Sequence, residues 1–158
     1  MTQMPFDPVY SRILVAYDSS DQAKNALSVA ARMALMFKGE LIILAVVPPP
    51  SYPSIPSDAY SGAISSDTFD YNEKSVELYK KSLEEAAKYI EERFPHLKFE
   101  TVLKEGRPSA IIVKEAENKA ANLIVIGNRG LGGISGWILG STSRQVVDRC
   151  TKPVLIVK

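Results

Sequence analysis

Five short apolar runs alternate with amphipathic stretches along the chain. Runs without polar residues are typical of strands buried on both faces, whereas apolar residues that recur every three or four positions predict helices. The third run instead alternates apolar and polar residues, which predicts one solvated face and a place at a sheet edge. The predicted strands are Ile13–Tyr17, Leu41–Val47, Phe99 to about Gly106, Leu123–Ile126 and Val154–Val157.

Four amphipathic segments between these strands predict helices. Ser19 and Gln22 have the spacing of a capping box at the start of the first helix, and Gly39 supplies its stop. Because strands and helices alternate, we expect right-handed crossovers and a mostly parallel sheet with helices on both faces, which is an α/β fold. The predicted helices are Ala23–Phe37, Tyr71–Arg93, Pro108–Asn118 and a segment from about Ser141 to Cys150.

One connection is much longer than the others. A Pro-Pro-Pro-Ser-Tyr-Pro run at 48–53 opens a segment of about residues 48–70 that is rich in Pro, Ser and Gly. Such a segment is typical of a mobile lid, a partner-binding segment or a disordered surface loop, and the sequence leaves these alternatives open. We therefore predict a single domain over residues 1–158 with a flexible insertion at about 48–70.

Composition excludes several classes of protein. The chain has 158 residues, of which 46% are hydrophobic, and this is enough for one domain with a sizeable core. Its 19 basic and 18 acidic residues leave no basic surplus of the kind that marks a nucleic-acid or membrane-surface partner. The sequence has no signal segment and no run long enough to span a membrane, so we expect a cytoplasmic protein.

The rarest residues indicate neither a disulfide nor a metal centre. The single cysteine, Cys150, cannot form an internal disulfide and is expected to be a buried thiol of the last helix. The single histidine, His96, follows a proline in a predicted turn and is expected on the surface. One histidine and one cysteine cannot build a zinc site of the Cys/His type.

A glycine and serine pattern follows the fourth predicted strand. Gly127, Asn128, Arg129 and Gly130 are followed, after nine residues, by Gly140 and a Ser-Thr-Ser run at 141–143. Glycine lets backbone amides approach an anion, the N-terminus of the last helix attracts negative charge, and Ser141, Thr142 and Ser143 carry hydroxyl donors. Arg129 has the geometry to pair with phosphate oxygens, although a solvated loop arginine is an equal alternative. The pattern predicts a phosphate cradle; the competing interpretation is a glycine-rich loop whose serines cap a helix.

Asp18 directly follows the first predicted strand. Ligands of open α/β sheets bind beyond the carboxyl ends of the strands, where the winding direction reverses. If the first and fourth strands are neighbours there, Asp18 and the glycine loop face one crevice. A turn or capping role for Asp18 is the alternative.

Three motifs together resemble the universal stress protein family. They are Val15-Ala16-Tyr17-Asp18-Ser19, Glu105-Gly106-Arg107-Pro108, and the Gly127–Ser143 pattern, whose spacing is similar to that of the ATP-binding subgroup. The resemblance implies a Rossmann-like fold of the adenine nucleotide alpha hydrolase type, with five parallel strands in the order 3-2-1-4-5. It also implies a homodimer joined through the last strand, Pro153–Lys158. For the site it implies a ribose or metal role for Asp18, an adenine contact by the backbone of Val46, and phosphate contacts by Gly127, Gly130, Gly140, Ser141 and Ser143.

We therefore expect an ATP-binding protein that acts as a nucleotide-dependent switch in the stress response. ADP and AMP are alternative ligands, and Mg²⁺ or Mn²⁺ would bridge the phosphates, because no independent metal site is indicated. The sequence lacks the P-loop pattern and indicates no catalytic residue, so hydrolysis should be slow or dependent on an unknown protein partner. A genuine nucleotide hydrolase or transferase and a dimeric interaction module without a ligand remain the alternatives.

Overall fold

The computed structural model describes residues 10–50, 67–129 and 139–158, with side chains of the second helix described from residue 72. Nine elements alternate strictly between strand and helix through this part of the chain. Predicted and observed bounds agree to within a few residues. The elements are β1 (Arg12–Ala16), α1 (Asp21–Met36), β2 (Glu40–Val47), α2 (Asp67–Arg93), β3 (Phe99–Glu105), α3 (Pro108–Asn118), β4 (Leu123–Gly127), α4 (Ser141–Arg149) and β5 (Val154–Val157).

All five strands pair in parallel in one sheet of order β3-β2-β1-β4-β5. This order confirms the predicted α/β fold and the predicted edge position of β3. It also makes β1 and β4 direct neighbours, with Val15 opposite Val125. The winding direction reverses between these two strands, which is where an α/β sheet of this kind opens a crevice.

Two apolar cores cover the two faces of the sheet. Successive strand residues point to opposite faces, so Ile13 and Val15 face α1 and α2, whereas Leu14 faces α3 and α4. The five alanines of α1 are all buried and let this helix lie close to the sheet, and Val146 of α4 is fully buried in the other core. The central strands are therefore rigidly held on both sides.

The start of α1 differs from the predicted capping box. The N-cap residue is Ser20, whose side chain accepts a hydrogen bond from the N–H of Ala23, and Ser19 lies one residue before it with φ 64°. The box of Ser19 and Gln22 is therefore wrong by one residue. The physical reason is that the hydroxyl of Ser20 is held by Asp18, which draws the chain into a left-handed turn at Ser19.

The end of α1 also corrects a prediction. Phe37 is the C-cap, and the left-handed residue after it is Lys38 with φ 54°, not Gly39. Gly39 is required for another reason: a Cβ there would lie 2.7 Å from the carbonyl oxygen of Tyr10 and 2.8 Å from that of Ser11. Close passage of two backbones, rather than the stop of a helix, explains this glycine.

The remaining differences concern ends of elements. Helix α2 begins at Asp67 rather than Tyr71, because its first turn has a single apolar residue, Phe69, and so carries no apolar periodicity. Cys150 is the C-cap of α4 and only half-buried, so the prediction of a buried helical thiol is wrong. His96 is exposed in the turn before β3, as predicted. Most of the predicted 48–70 insertion lies outside the described residues, and its flexibility stays a prediction.

Among the described residues, no helix combines the length and apolarity needed to cross a lipid bilayer.

Candidate functional site

A cavity of about 520 Å³ opens at the carboxyl ends of β1, β2 and β4. It lies at the point where the winding of the sheet reverses, so Asp18 and the start of α4 do share one crevice. Eight of the nine predicted site residues line it; the ninth, Gly130, lies outside the described residues. The eight are Asp18, Val46, Gly127, Arg129, Gly140, Ser141, Thr142 and Ser143.

Asp18 lies at the end of β1 with its carboxylate oriented by Ser20. Its Oδ1 accepts hydrogen bonds from the backbone N–H of Ser20 at 3.0 Å and from the Ser20 hydroxyl at 2.6 Å. The same hydroxyl oxygen accepts from the N–H of Ala23 at 3.1 Å and thereby caps α1. Asp18 therefore faces the crevice while being tied to the turn that starts α1.

Val46 presents its backbone N–H and C=O to the crevice. Residues of β2 turn their N–H and C=O alternately toward β1 and β3: the carbonyl of Leu44 accepts from Tyr17, and that of Val47 accepts from Gly106. Val46 therefore faces the β1 side, where the pairing register ends with Ala16 and Leu44. Among the described residues, neither Tyr17 nor any residue after it makes a backbone hydrogen bond with the N–H or C=O of Val46 on this side. A donor and an acceptor on this strand edge are thus open to a ligand.

The N-terminus of α4 has no side-chain cap. Gly140 is the N-cap residue, and it carries no side chain that could accept from the first N–H groups of the helix. The amides of Ser141 and Thr142 therefore lack an intrahelical acceptor, and the helix dipole adds about half a positive charge at this end. Both residues line the crevice, so this end of the crevice is suited to an anion.

Ser143 stabilises the same helix end through its hydroxyl. Its hydroxyl donates toward the backbone oxygens of Asn128, at 3.0 Å, and Gly140, at 3.1 Å, and its side chain is almost fully buried. The N–H of Gly140 also donates to the Asn128 oxygen, at 2.8 Å. Ser143 thus joins the end of β4 to the start of α4. Because a hydroxyl has a single proton and these oxygens take it, only the backbone N–H of Ser143 is left for the predicted phosphate contact.

Arg129 carries a buried donor that has no partner among the described residues. Its Nε is enclosed and makes no hydrogen bond with any described residue, although the residue lines the crevice. An unsatisfied buried donor on a charged group is costly, and an anionic oxygen in the crevice would satisfy it. Between the two interpretations of Arg129 made from the sequence, this geometry favours the phosphate partner over the solvated loop residue.

Gly127 has a packing requirement of its own. A Cβ at this position would lie 2.8 Å from the Cβ of Gln22 and 3.2 Å from the carbonyl oxygen of Arg129. At Gly140 the nearest atoms to such a Cβ, in Arg129 and Asn128, are 3.4 Å away, which is ordinary contact. The two glycines of the motif are therefore unequal: Gly127 lets α1 approach β4, and Gly140 leaves the helix end open.

Sequence reasoning missed the apolar walls of the crevice. Ile126 and Leu44 come from the sheet, and Pro108 and Ile112 from α3; of these four, Pro108 alone belonged to a recognised motif, as Ala16 and Tyr17 of the same walls also did. Further residues of these walls are Ala16, Tyr17, Ala23, Pro48 and Tyr79. The positions of Leu44, Ile112 and Ile126 are indistinguishable from core in the sequence, so no signal short of the fold could have identified these three.

Tyr17 forms part of the floor as an uncharged phenol. Burial raises the pKa of the Tyr17 hydroxyl above its usual value, the polar hydroxyl of the nearby Ser82 opposes the rise, and the carboxylates of Glu85 and Asp18 raise this pKa further. Tyr17 therefore stays neutral at physiological pH and adds no charge to the crevice.

An open parallel sheet with a crevice at its switch point defines a doubly wound α/β protein, a class whose ligands bind at this crevice. A sequence profile of the universal stress protein family matches residues 10–158, and the chain belongs to this family. A universal stress protein of Thermus aquaticus is 34% identical over 154 residues, which cover 95% of this chain and 100% of that protein.

Solved structures of the family are similar over nearly the whole chain. A universal stress protein in complex with cAMP has a TM-score of 0.67 at 28% identity, covering 95% of this chain and 98% of that one. The universal stress protein of Archaeoglobus fulgidus in complex with dAMP has a TM-score of 0.67 at 25% identity, covering 95% and 99%. These relatives share the Rossmann-like fold described above.

Proposed function

We propose that this protein binds an adenine nucleotide, ATP above all, and acts as a nucleotide-dependent switch in the stress response. The observation that carries the proposal is one crevice with three kinds of group along it. It has an open strand edge at Val46, a carboxylate at Asp18 and an uncapped helix N-terminus at Ser141. A base, a sugar and a phosphate chain need these groups in this order.

The strand edge is suited to the base. Adenine offers a ring nitrogen that accepts and an amino group that donates, which complement the N–H and C=O of Val46. Leu44, Ile112 and Ile126 supply an apolar surface for the ring faces. The two relatives solved with dAMP and cAMP hold adenine nucleotides, which supports the same ligand class for this chain.

The opposite end is suited to the phosphates. The amides of Ser141 and Thr142 point from an uncapped helix end, and the unsatisfied Nε of Arg129 adds a positive donor. Gly130 is assigned to this cradle by the family pattern alone. Asp18 lies between the two ends, where a carboxylate accepts hydrogen bonds from ribose hydroxyls.

A divalent ion would arrive with the nucleotide. The described residues contain no group of three or more His, Cys, Asp or Glu side chains that could hold a metal. Mg²⁺ or Mn²⁺ would therefore be held by phosphate oxygens, and Asp18 is the carboxylate of the crevice that could add a ligand. In that position the ion would neutralise phosphate charge.

Slow hydrolysis is part of the proposal. Asp18 is the one carboxylate among the described lining residues, and these include no histidine. Phosphoryl transfer to water needs a positioned nucleophile and charge stabilisation beyond binding. The bound nucleotide would then persist long enough to bias the protein between states of different affinity for a partner. We extend the proposal to a cytoplasmic location, where adenine nucleotides are abundant.

Nucleotide binding is the first expected result. Denatured fresh protein should release an adenine nucleotide that mass spectrometry identifies, and the stripped protein should bind ATP with Mg²⁺ saturably in a calorimetric titration. Titrations with ADP and AMP rank the ligands. Phosphate release should stay far below one turnover per second, since typical enzymes exceed about 1 s⁻¹. Rapid turnover would instead favour the hydrolase, and flat titrations with all three nucleotides would leave an interaction module.

A homodimer through β5 is the second expected result. The carbonyl of Pro153, directly before β5, accepts from Ile124, and that of Val157 accepts from Asn128 at the end of β4. By alternation, the N–H groups of Val154 and Ile156 point outward from the sheet. The side chains of this strand are all half-buried, which leaves apolar area for a second copy. Ile156→Pro removes an outward donor and no bond to β4. Analytical ultracentrifugation should show a dimer that this variant converts to a folded monomer; a monomeric parent protein would contradict the proposal.

A further inference from the structure

The hydroxyl of Ser20 makes two hydrogen bonds at once. Its oxygen accepts from the N–H of Ala23 at 3.1 Å, and its proton is donated to Oδ1 of Asp18 at 2.6 Å. The backbone N–H of Ser20 donates to the same carboxylate oxygen at 3.0 Å. Since a hydroxyl carries a single proton, its acceptor role toward the helix leaves that proton for Asp18. One side chain thus couples the helix cap to the carboxylate in the crevice.

The surroundings of Ser20 fix this arrangement. Its side chain is more than nine-tenths buried, and Ser19 before it adopts φ 64°, a left-handed conformation that a residue with a Cβ holds at a cost. Hydrogen bonds from a hydroxyl to a carboxylate at this distance are charge-assisted and strong. The turn from Asp18 to Ser20 is therefore held by its own contacts and by the start of α1.

An aspartate needs such help to point in one direction. The terminal torsion of a carboxylate is broad, so an unsupported aspartate at the mouth of a crevice samples many orientations. Two donors from Ser20 select one of them, while a carboxylate has room for about four hydrogen bonds in total. The orientation is thus set before any ligand arrives, which lowers the cost of binding.

We propose that Ser20 is a positioning residue: it holds Asp18 to receive the ribose hydroxyls of the nucleotide, and so sets the preference for ribose over sugars that lack them. This inference rests on the function proposed above. A helix cap alone would affect stability and the affinity for every nucleotide alike. A positioning residue affects the ratio between nucleotides that have the hydroxyls and those that do not.

The test measures that ratio in four variants. Calorimetric titrations give the dissociation constants of ATP and of 2′,3′-dideoxy-ATP, which lacks both ribose hydroxyls and so does not depend on which one Asp18 contacts. Asp18→Ala defines complete loss of the preference. Ser20→Ala removes both the cap and the hydroxyl donor. Ser20→Asp keeps a strong cap but has no proton to donate, and Ser20→Thr keeps both. Thermal unfolding of each variant reports the cap separately.

The expected ratio separates the two roles of Ser20. The parent protein should bind ATP roughly ten- to a hundredfold more tightly than the dideoxy nucleotide, the effect of a hydrogen bond to a charged group. Ser20→Ala and Ser20→Asp should lower this preference by roughly fivefold toward the Asp18→Ala value, while Ser20→Thr stays within about twofold of the parent. The charge added by Ser20→Asp acts on both nucleotides and cancels in the ratio.

Two other results have separate meanings. If Asp18→Ala abolishes the preference and both Ser20→Ala and Ser20→Asp retain it, the positioning role is overturned and the proposed function stands. If the parent protein binds neither nucleotide, the proposed function fails, and the inference about Ser20 fails with it.

Discussion

Gly140→Leu is expected to weaken ATP binding by about a hundredfold while the protein stays folded. A Cβ at Gly140 meets its nearest atoms at 3.4 Å, so the backbone accepts a side chain, and that side chain enters the crevice at the helix end. Each charge-assisted hydrogen bond that it displaces is worth about 1.5–3 kcal/mol. Calorimetry measures the affinity, and thermal unfolding should show a loss of about 1 kcal/mol from the poorer N-cap.

Gly140→Ser provides the matched control. Serine is among the best N-cap residues, so this variant should be at least as stable as the parent. Its hydroxyl would accept from the same amides that are proposed to bind phosphate, so its ATP affinity should still fall. A Gly140→Leu protein that binds ATP as tightly as the parent would place the phosphates elsewhere in the crevice.

Gly127→Ala is expected to have the opposite profile, with a large loss of stability. The added Cβ would lie 2.8 Å from the Cβ of Gln22 and 3.0 Å from its carbonyl carbon, and neither atom can swing aside as a flexible side-chain end would. Separating α1 from β4 to relieve such a contact costs about 1–3 kcal/mol. Urea unfolding measures the loss, and Gly140→Ala should lose no more than the roughly 1 kcal/mol of a poorer N-cap, because its Cβ meets no close contact.

A double-mutant cycle with Gln22→Gly tests the cause. Removing the Cβ of Gln22 relieves the shorter of the two contacts, so Gly127→Ala should cost less in that background. Equal costs in the two backgrounds would mean that the clash with α1 is not the source. A Gly127→Ala protein of parental stability that no longer binds ATP would assign this glycine to the phosphates instead.

The sequence was most informative where periodicity and order determine structure. The apolar runs predicted all five strands, because buried parallel strands and amphipathic helices impose distinct repeats on the chain. The order of the strands was predicted by the family resemblance. The same logic placed Asp18 beside the start of α4. Both follow strands, and the carboxyl ends of neighbouring parallel strands meet at one edge.

Details that depend on contacts between distant residues could not be predicted from the sequence. Ser19 and Ser20 both fit a capping pattern, and only the bond from Ser20 to Asp18 decides between them. The open edge at Val46 depends on β1 ending before β2, which no local pattern encodes. Likewise, the packing role of Gly127 requires knowing that Gln22 lies above it.

The crevice is assembled from three strands that lie far apart in the chain. Asp18, Val46 and Gly140 come together only when β1, β2 and β4 are paired, so an unfolded chain offers no partial version of the site. A ligand spanning all three binds the folded state alone and stabilises it by mass action, by about 2.7 kcal/mol at a hundred times its dissociation constant. If that ligand is a nucleotide, the stability of the folded protein depends on the nucleotide concentration in the cell. Depletion of the nucleotide would then lower the free energy of unfolding.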